Sequence, residues 1–346
     1  MVPSSNSSSR ILVTGGAGFI GSHTVVALVE AGFEPVIVDN FSNSERAVLD
    51  GLRTILGRDV TCYDIDCNDA AAMADVFSRE QLAGVIHFAA FKAVGESVQE
   101  PLKYYRNNLG SLLLLLELMP QYNVRKLVFS SSCTVYGQPE TLPVTEETPR
   151  LPAESPYGNT KAVGEDIIRD AVRSGLPVNA IALRYFNPIG AHPSAEIGEL
   201  PRGVPGNLVP YITQTAAGLR DKLTVFGNDY NTPDGTCIRD FIHVMDLAEA
   251  HVSALQLLNT VTEPAYYDVF NIGTGQGASV KQLLDTFIEV NGVPVNYTIG
   301  PRRAGDVEQI YAKVDKATNV MHWTAERTLA DALRDAWRWQ QKLTGQ

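Results

Sequence analysis

The chain has 346 residues and is 45% hydrophobic, so it is long enough for two domains or for one large domain with a sizeable core. Its formal net charge is −11 and it contains no basic block, which argues against nucleic acid as a partner. The longest purely apolar runs, such as residues 112–116, are far shorter than the ~20 residues that cross a bilayer, so no membrane association is predicted.

The serine-rich start, MVPSSNSSSR, lacks the apolar middle of a signal peptide, so residues 1–9 are predicted to be a disordered extension. The cysteines, which include no CxxC pair and are interpreted as reduced and packed, are Cys62, Cys67, Cys133 and Cys237. The histidines show no HxxH or HxxxH spacing, so no metal site is predicted. Together these features predict a cytoplasmic protein.

Short apolar runs alternate with helical segments between residues 10 and 186. The runs are rich in Val, Ile and Phe, which suits parallel strands buried on both faces: ILVTG, PVIVD, VTCYDI, GVIHFAA, KLVFSSS and VNAIALRYF. Amphipathic segments, at 45–56 and 69–80 for example, lie between them. This alternation predicts an α/β fold with a Rossmann-type, doubly wound parallel sheet.

The composition changes after residue 186. Residues 187–210 are rich in proline and glycine without periodicity, which predicts a long loop of the kind that is often functional. Regular elements return at 239–258 and 269–290. We therefore predict a first domain over 10–186, which the elements at about 239–290 rejoin. A smaller C-terminal domain is predicted over 187–238 and 291–346.

The segment TGGAGFIGS, residues 14–22, follows the first predicted strand directly and opens a helix. Gly15 allows a tight turn, Gly18 lets a pyrophosphate approach the backbone, and Gly21 lets helix and strand pack closely. Free amides at the helix N-terminus can then bind the phosphates. Asp39 ends the second strand, where it can bind an adenosine ribose and would repel a 2′-phosphate. Because Asn40 rather than an arginine follows, NAD is preferred over NADP, and the first domain is predicted to bind it.

The segment SPYGNTK, residues 155–161, predicts the start of another helix. Ser155 and Pro156 suit its N-cap and first position, so Tyr157 lies in the first turn and Lys161 one turn later. The apolar face is formed by Val163, Ile167, Ile168, Ala171 and Val172, and the opposite face by Glu165, Asp166, Arg169 and Arg173. Tyr157 and Lys161 both fall within the apolar arc. A lysine that points inward costs free energy unless a neighbour uses its charge.

This pair can provide a base. A phenol with a pKa of ~10 is a poor base at pH 7, but a nearby ammonium and a positive nicotinamide ring would both lower that pKa. A lowering of ~3 units requires roughly 4 kcal/mol, which two close positive charges in a partly dry site can supply. A second YxxxK pair, Tyr122 and Lys126, has little helix signal around it and is assigned no function.

These motifs resemble those of a known family over about residues 10 to 340. The similar segments are GGAGFIGSH, VDNFSNS, HFAAFKAVGES, YYRNN, SSCTVYG, SPYGNTK, RYFNPIGAHPS, DGTCIRDFIHVMDLA and RRAGD. On these segments the chain resembles the UDP-glucose 4-epimerase family of the extended short-chain dehydrogenases/reductases. The resemblance implies interconversion of UDP-glucose and UDP-galactose at C4 through a transient 4-keto sugar, in galactose metabolism, with NAD regenerated in each cycle. It also implies a homodimer formed through helices at about 100–119 and 157–173.

The resemblance further implies individual site residues. Ser132 would hydrogen-bond the reacting sugar hydroxyl while Tyr157, supported by Lys161, takes its proton. The residues implied around NAD are Gly15, Gly18, Phe19, Ile20, Gly21, Asp39, Asn40, Asn43, Ser44, Asp66, Cys67, Phe88, Ala89, Ala90, Lys92, Asn107, Tyr157, Lys161 and Tyr185. Those implied around the UDP-sugar are Lys92, Ser132, Tyr157, Tyr185, Asn187, Asn207, Leu208, Thr224, Val225, Phe226, Arg239, Arg303, Asp306 and Ile310. Arg239 and Arg303 suit the diphosphate because guanidinium forks match phosphate oxygens.

Three positions depart from the family pattern. Cys133 replaces a small alanine or serine, and Gly206 stands where the first of two asparagines is common. Ile310 is intermediate in size at a position where bulky aromatic side chains exclude an N-acetylated sugar. Activity on UDP-N-acetylhexosamines is therefore left open.

Two other kinds of function are kept as alternatives. One is another sugar-nucleotide enzyme, namely a 4,6-dehydratase, a decarboxylase or an epimerase of another sugar. A dehydratase needs an additional acid–base pair, whereas Cys133 and Thr134 follow Ser132 here. The other is a non-catalytic sensor of NAD or of a sugar nucleotide, and such proteins often lose the tyrosine or the lysine.

Overall fold

The computed structural model of the chain describes residues 10–303 and 306–345. The predicted extension 1–9 lies outside the described residues, as do Ala304 and Gly305 of the RRAGD segment. In the described part, the strands are β1 (Arg10–Thr14), β2 (Glu34–Asp39), β3 (Thr61–Asp64), β4 (Gly84–His87), β5 (Lys126–Ser130), β6 (Asn179–Tyr185), β7 (Asn187–Ile189), β8 (Leu223–Phe226), β9 (Ile238–Arg239), β10 (Phe241–His243), β11 (Tyr266–Ile272), β12 (Ala278–Ser279), β13 (Tyr297–Gly300) and β14 (Gln309–Ile310). The helices are α1 (Phe19–Glu30), α2 (Ala47–Leu56), α3 (Ala70–Glu80), α4 (Val94–Gln99), α5 (Pro101–Gln121), α6 (Pro156–Arg173), α7 (Leu208–Ala216), α8 (Val244–Leu258), α9 (Val280–Asn291), α10 (Asp315–Met321) and α11 (Leu329–Thr344), and Cys133–Tyr136 form a short 3-10 helix.

Seven strands form one parallel sheet in the order β11-β6-β5-β4-β1-β2-β3. Each of the six predicted apolar runs contributes one of its strands, and the two quoted amphipathic segments contain α2 and α3. The chain starts in the middle of the sheet, winds to the β3 edge and returns through β4 to the other edge. The predicted Rossmann-type, doubly wound fold is therefore confirmed. Because the winding direction reverses between β1 and β4, their carboxyl ends open a crevice where such folds bind ligands.

Successive side chains of the sheet belong to two different buried clusters, one on each face. Ile11 and Val13 pack with residues of α1 and α8, whereas Leu12 packs with residues of α3, α5 and α6. Gly164 of α6 lies against Phe129 of β5, where an added Cβ would be 2.8 Å from the ring. The helix that carries Tyr157 and Lys161 therefore lies close against the strand that leads to Ser132.

A third cluster forms the core of the smaller C-terminal part. It joins β8, α7, α9 and α11, and Phe287 meets Trp337 edge to face with ring centroids 5.8 Å apart. Within the segment predicted at 269–290, β11 pairs with β6 of the main sheet, whereas α9 packs in this third cluster. The predicted loop at 187–210 contains the short strand β7 and the beginning of α7, neither of which was predicted. None of the described helices is long and apolar enough to pass through a bilayer.

Candidate active site

The helix α6 begins as the sequence predicts. Ser155 is its N-cap, with its side chain accepting a hydrogen bond from the amide of Gly158 at 3.1 Å, and Pro156 is the first helical residue. Tyr157 is therefore in the first turn and Lys161 in the second. The other YxxxK pair is split between the end of α5 at Tyr122 and the first residue of β5 at Lys126, so no helix joins it.

The three predicted catalytic residues lie together where β5 ends. Lys161 is buried, and its Nζ donates a hydrogen bond to the carbonyl oxygen of Ser130 at 2.7 Å. The same Nζ is 6.0 Å from the centroid of the Tyr157 ring. Ser132, also buried, follows Ser130 by two residues and lies close enough to Tyr157 to lower the pKa of its phenol. A hydroxyl, a phenol and an ammonium thus share one site at the carboxyl edge of the sheet.

Burial dominates the electrostatics of this group. It raises the pKa of Tyr157 above that of a free tyrosine, and the nearby Ser132 hydroxyl only partly opposes this effect. Burial also lowers the pKa of Lys161 to about 8, so the amine is largely charged at pH 7. The predicted lowering of the tyrosine pKa is therefore not produced by the side chains of this chain alone and stays a prediction for the protein with bound NAD. It requires the second positive charge invoked in that prediction, the nicotinamide ring.

Tyr185 stands beside this group. Its hydroxyl is hydrogen-bonded to the Ser130 side chain, and burial raises its pKa to about 12. The phenol of Tyr185 therefore stays neutral at physiological pH. It can donate a hydrogen bond but is not poised as a base.

The glycine-rich segment forms a tight cradle at the start of α1. Gly15 has a φ of +71°, and a Cβ there would lie 2.9 Å from the amide nitrogen of Ala89. A Cβ on Gly21 would lie 2.2 Å from the Gly15 carbonyl oxygen, so helix and loop approach too closely for any side chain. Gly18 is the N-cap and makes no side-chain cap, which leaves the first amides of the helix for a ligand. The cradle fits the pyrophosphate of a dinucleotide.

Asp39 connects the end of β2 to this cradle. Its carboxylate accepts hydrogen bonds from the amide of Ala17 at 3.0 Å, from the amide of Phe41 at 2.9 Å and from the Ser44 hydroxyl at 2.9 Å. A carboxylate offers about four acceptor positions, so room for a ribose hydroxyl remains. Ser44 is thus placed as a support for Asp39, while Asn43 beside it is exposed.

Asn68, which was not predicted as a site residue, contacts two of the predicted cofactor residues. Asn68 Nδ2 donates to Asp66 at 3.1 Å and to Asn107 at 3.3 Å, and Asp66 also accepts from Asn40 at 3.3 Å. Cys67 is buried, and burial raises the pKa of its thiol, so it stays protonated. Asn40 follows β2, Asp66, Cys67 and Asn68 follow β3, and Asn107 belongs to α5.

The residues after β4 lie directly beside the glycine cradle. The amide of Phe88 donates to the Thr14 carbonyl at 3.0 Å, and that of Ala89 lies 3.4 Å from the Thr14 hydroxyl. Ala90 follows in the same segment. The predicted cofactor residues of β1, α1 and β4 thus meet in the crevice where the sheet reverses direction.

Lys92 and Asn207, predicted from distant segments, meet through Glu199. The Glu199 carboxylate lies 3.4 Å from Lys92 Nζ and accepts a hydrogen bond from Asn207 Nδ2 at 2.6 Å. Glu199 was not predicted, because the loop that carries it has no periodicity. It joins the loop after β4 to the N-terminus of α7, where Asn207 is the N-cap and Leu208 the first helical residue.

Four of the predicted UDP-sugar residues form another cluster. Asp306 accepts a hydrogen bond from Arg303 at 2.6 Å and lies 3.8 Å from Arg239 Nη2. The Arg303 guanidinium also lies over the Phe226 ring, 5.9 Å from its centroid. The two guanidinium groups and one carboxylate leave a net positive charge, which suits a diphosphate.

The remaining predicted residues fall on short strands. Asn187 begins β7, and Thr224, Val225 and Phe226 lie in β8. Val225 is 1% exposed within the third cluster, so its side chain is not available to a ligand.

The three departures from the family pattern have different surroundings. Ile310 is 4% exposed and packs in a small apolar cluster with Cys133 and Phe186. Ile310 and Cys133, two of the three positions that depart from the family pattern, therefore belong to the same apolar cluster. A Cβ on Gly206 would meet no atom within 4 Å, so the fold itself does not require glycine there.

The fold and this site define an enzyme that uses a dinucleotide and carries a tyrosine–lysine pair. Residues 11–273 match the NAD dependent epimerase/dehydratase family, and the chain belongs to that family. NAD, the predicted cofactor, is confirmed.

Similar proteins cover nearly the whole chain. The UDP-glucose 4-epimerase of Dictyostelium discoideum is 50% identical over 331 residues, which are 96% of this chain and 95% of that protein. The crystal structure of a UDP-glucose 4-epimerase from Stenotrophomonas maltophila, with bound NAD and formylated UDP-arabinopyranose, superposes with a TM-score of 0.94 at 44% identity, covering 97% of this chain and 99% of that one. The corresponding structure from Bifidobacterium longum, in complex with NAD+ and UDP, has a TM-score of 0.91 at 45% identity and covers 96% of this chain and 98% of that one.

Proposed function

We propose that the chain is an isomerase that interconverts UDP-glucose and UDP-galactose at C4 of the hexose, using NAD. The observation that carries the proposal is the convergence of Ser132, Tyr157 and Lys161 beside the glycine cradle. It occurs in a chain that is 50% identical to a UDP-glucose 4-epimerase over 96% of its length.

In this function each residue has a distinct task. Tyr157 takes the proton of the C4 hydroxyl while Ser132 holds that hydroxyl by a hydrogen bond. The Lys161 ammonium stabilises the phenolate. NAD+, when bound at the glycine cradle, would supply the acceptor for the C4 hydride and, once reduced, the donor that returns it to the opposite face of the 4-keto sugar.

The substrate is proposed to be held at its diphosphate. Arg239 and Arg303 are the donors for the phosphate oxygens, and Asp306 keeps them close together before the substrate binds. Because the hexose is attached only through its link to the diphosphate, it can turn and present either face. Epimerisation requires this rotation, whereas a simple oxidation does not.

A 4,6-dehydratase is disfavoured by the residues after Ser132. Burial raises the pKa of the Cys133 thiol to about 12, so this thiol is no acid–base catalyst at neutral pH. The carboxylate of Asp240, whose charge adds to that effect, accepts hydrogen bonds from Thr274, Gly275 and Ala312 and is committed to them. Neither group can act as the additional acid–base pair.

Incubation of the purified protein with UDP-galactose separates the alternatives. An epimerase yields UDP-glucose, a dehydratase yields a 4-keto-6-deoxy sugar, and a sensor yields no product. A parallel incubation with UDP-N-acetylgalactosamine determines whether Ile310 admits an N-acetyl group. Failure to form UDP-glucose from UDP-galactose would overturn the proposed function.

We propose a homodimer and a cytoplasmic location as further parts of this function. The helices α5 and α6, named in the dimer prediction, lie side by side, and α5 exposes Leu102 by 76% and Leu113 by 46%. The four cysteines are free thiols, which fits a reducing compartment. A sedimentation boundary at the monomer mass, at micromolar protein, would contradict the dimer.

A further inference from the structure

Glu165 lies in the interior of the protein, although its helical position predicted the polar face of α6. It is 2% exposed and stands four residues after Lys161 and eight after Tyr157. The three side chains therefore follow one another along the helix at intervals of about one turn. The proposed reaction gives Glu165 no task, so its burial needs another explanation.

The Glu165 carboxylate is fully engaged by neighbours. Oε1 accepts hydrogen bonds from the Ser131 hydroxyl at 2.5 Å and from Arg184 Nε at 2.8 Å, and Oε2 accepts from Arg184 Nη2 at 2.6 Å. Arg150 Nη1 lies 3.5 Å from Oε2, and Tyr267 of β11 is close enough for the Glu165 charge to raise its pKa. Arg184 is 5% exposed, and although burial lowers its pKa, the contacts with Glu165 raise it above the ordinary value.

These contacts complete a repeated pattern between α6 and the end of β5. Lys161 binds the carbonyl of Ser130, Glu165 binds the hydroxyl of Ser131, and Ser132 lies close enough to Tyr157 to lower the pKa of its phenol. Two of three consecutive serines are thus joined to α6 by hydrogen bonds, and the third lies near a side chain of the same helix.

Arg184 of the neighbouring strand β6 also supports the segment that contains the three serines. Arg184 reaches past Glu165 to donate to the Tyr136 hydroxyl at 3.1 Å, and Tyr136 in turn donates to Asn271 at 2.6 Å. Tyr136 belongs to the 3-10 helix that follows Ser132. The segment that contains Ser132 is therefore held before it, at Ser131, and after it, at Tyr136.

Stability alone does not account for this arrangement. A buried ion pair gains little over a well-packed apolar pair, because desolvation offsets its Coulomb attraction. The buried Glu165–Arg184 ion pair is better explained by a need to place the catalytic side chains accurately, since a misplacement of about 1 Å in an active site can cost about 100-fold in rate.

We propose that Glu165 is a positioning residue of the epimerase. Together with Ser131 and Arg184, it fixes the position of α6 along the end of β5, and so holds Tyr157 against Ser132. The inference rests on the proposed function and deepens it. Glu165 itself touches no reacting atom.

The test compares Ser131→Ala, Glu165→Gln and the double variant as holoenzymes with the wild type. Ser131→Ala removes one hydrogen bond and keeps the Glu165–Arg184 ion pair, so it leaves the core charges paired. We expect each single variant to lower kcat by about tenfold with KM within about threefold, because the geometry of proton transfer is loosened while substrate binding is not. The double variant should lose no more than the single variants, since both break the same contact.

A second measurement follows Tyr157 directly. Ultraviolet titration of the holoenzyme, with the titration of Tyr157→Phe subtracted, should place ionisation of this phenol about one pH unit higher in Ser131→Ala than in the wild type. The shift is expected because the Ser132 hydroxyl lowers the pKa of Tyr157, and this effect weakens when the two side chains move apart. Asp166→Asn is the matched control: Asp166 is the next residue of α6 and pairs with Arg150 and Arg169 on its partly exposed side. It should change neither kcat nor the titration.

A folded Ser131→Ala protein with wild-type kcat and an unshifted Tyr157 titration would overturn the proposal. If Glu165→Gln fails to fold, Ser131→Ala still provides the test. Should the wild type leave UDP-galactose unconverted, the proposed function fails, while the titration alone continues to test the positioning role.

Discussion

Replacement of Lys161 by methionine tests the electrostatic basis of the site. The change keeps the length and burial of the side chain and removes its charge. With a separation of 6.0 Å between Nζ and the Tyr157 ring and an effective dielectric constant of about 20, the ammonium stabilises a phenolate by about 2.8 kcal/mol. This corresponds to about two pKa units, so about 100-fold less of the tyrosine is ionised at a given pH without the lysine.

The expected result is a kcat about 100-fold below that of the wild type at pH 7. Because burial lowers the pKa of Lys161 to about 8, the wild-type amine loses its charge as the pH rises through that value. The ratio of wild-type kcat to variant kcat should therefore decrease toward one by about pH 10.

The assay measures UDP-glucose formed from UDP-galactose between pH 6.5 and pH 10, normalised to the NAD held by each protein. Lys126→Met is the control, because Lys126 begins β5 at the end of the strand opposite Ser130 and belongs to the YxxxK pair without a function. Its kcat should equal that of the wild type. A kcat ratio for Lys161→Met that stays constant across this pH range, or that is below about fivefold at pH 7, would refute the electrostatic argument.

Four further predictions concern residues of the candidate site. Lys161→Met should be more stable to denaturant than the wild type at pH 7 by about 3 kcal/mol. The reason is that the pKa of this lysine falls from 10.5 in the unfolded chain to about 8 in the folded protein. Between pH 8 and pH 10.5 the unfolded wild type therefore binds more protons than the folded wild type, so its stability rises with pH over this range. Equal stability of the Lys161→Met variant and the wild type at pH 7 would contradict the prediction. Tyr157→Phe should retain NAD but lose several orders of magnitude in kcat, and near-normal turnover would dismiss Tyr157 as the base. Gly18→Val should lose NAD, because Gly18 is the N-cap of α1 beside the cradle and even a Cβ would lie 3.2 Å from the Gly15 carbonyl oxygen. An unchanged NAD content in the purified variant would refute the assignment of the cradle to NAD. Arg239→Ala should weaken UDP binding by about 10- to 100-fold, the loss expected for a charge-assisted hydrogen bond, and wild-type affinity by calorimetry would exclude Arg239 from the site.

The main sheet could be predicted from the sequence because each of its strands is a short, nearly continuous apolar run. Strands such as β1 and β2 are buried on both faces, so apolar residues follow one another without alternation. The start of α6 could also be predicted from the sequence, since Ser155 and Pro156 are local signals that depend on no distant contact. Features of this kind are encoded within a few neighbouring residues.

Contacts between distant segments could not be predicted in the same way. Glu165 was assigned to the polar face because a helical projection contains no information about Arg184, the partner from β6 that allows its burial. Asn68 and Glu199 were missed for a related reason. Asn68 contacts Asn107 of α5 and Glu199 contacts Lys92, and both partners are distant in the sequence. The cost of burying the Tyr157 phenolate was also not predicted, since it depends on the packing of distant segments around the ring.

The position of Asp306 between Arg239 and Arg303 has a consequence for how a nucleotide enters. Two guanidinium groups without a shared carboxylate would repel each other and sample many rotamers. Held by Asp306, they are partly ordered in advance, so less conformational freedom is lost when a ligand docks. We propose that an incoming diphosphate takes over the hydrogen bonds that Asp306 accepts before binding, and that its departure returns the arginines to Asp306.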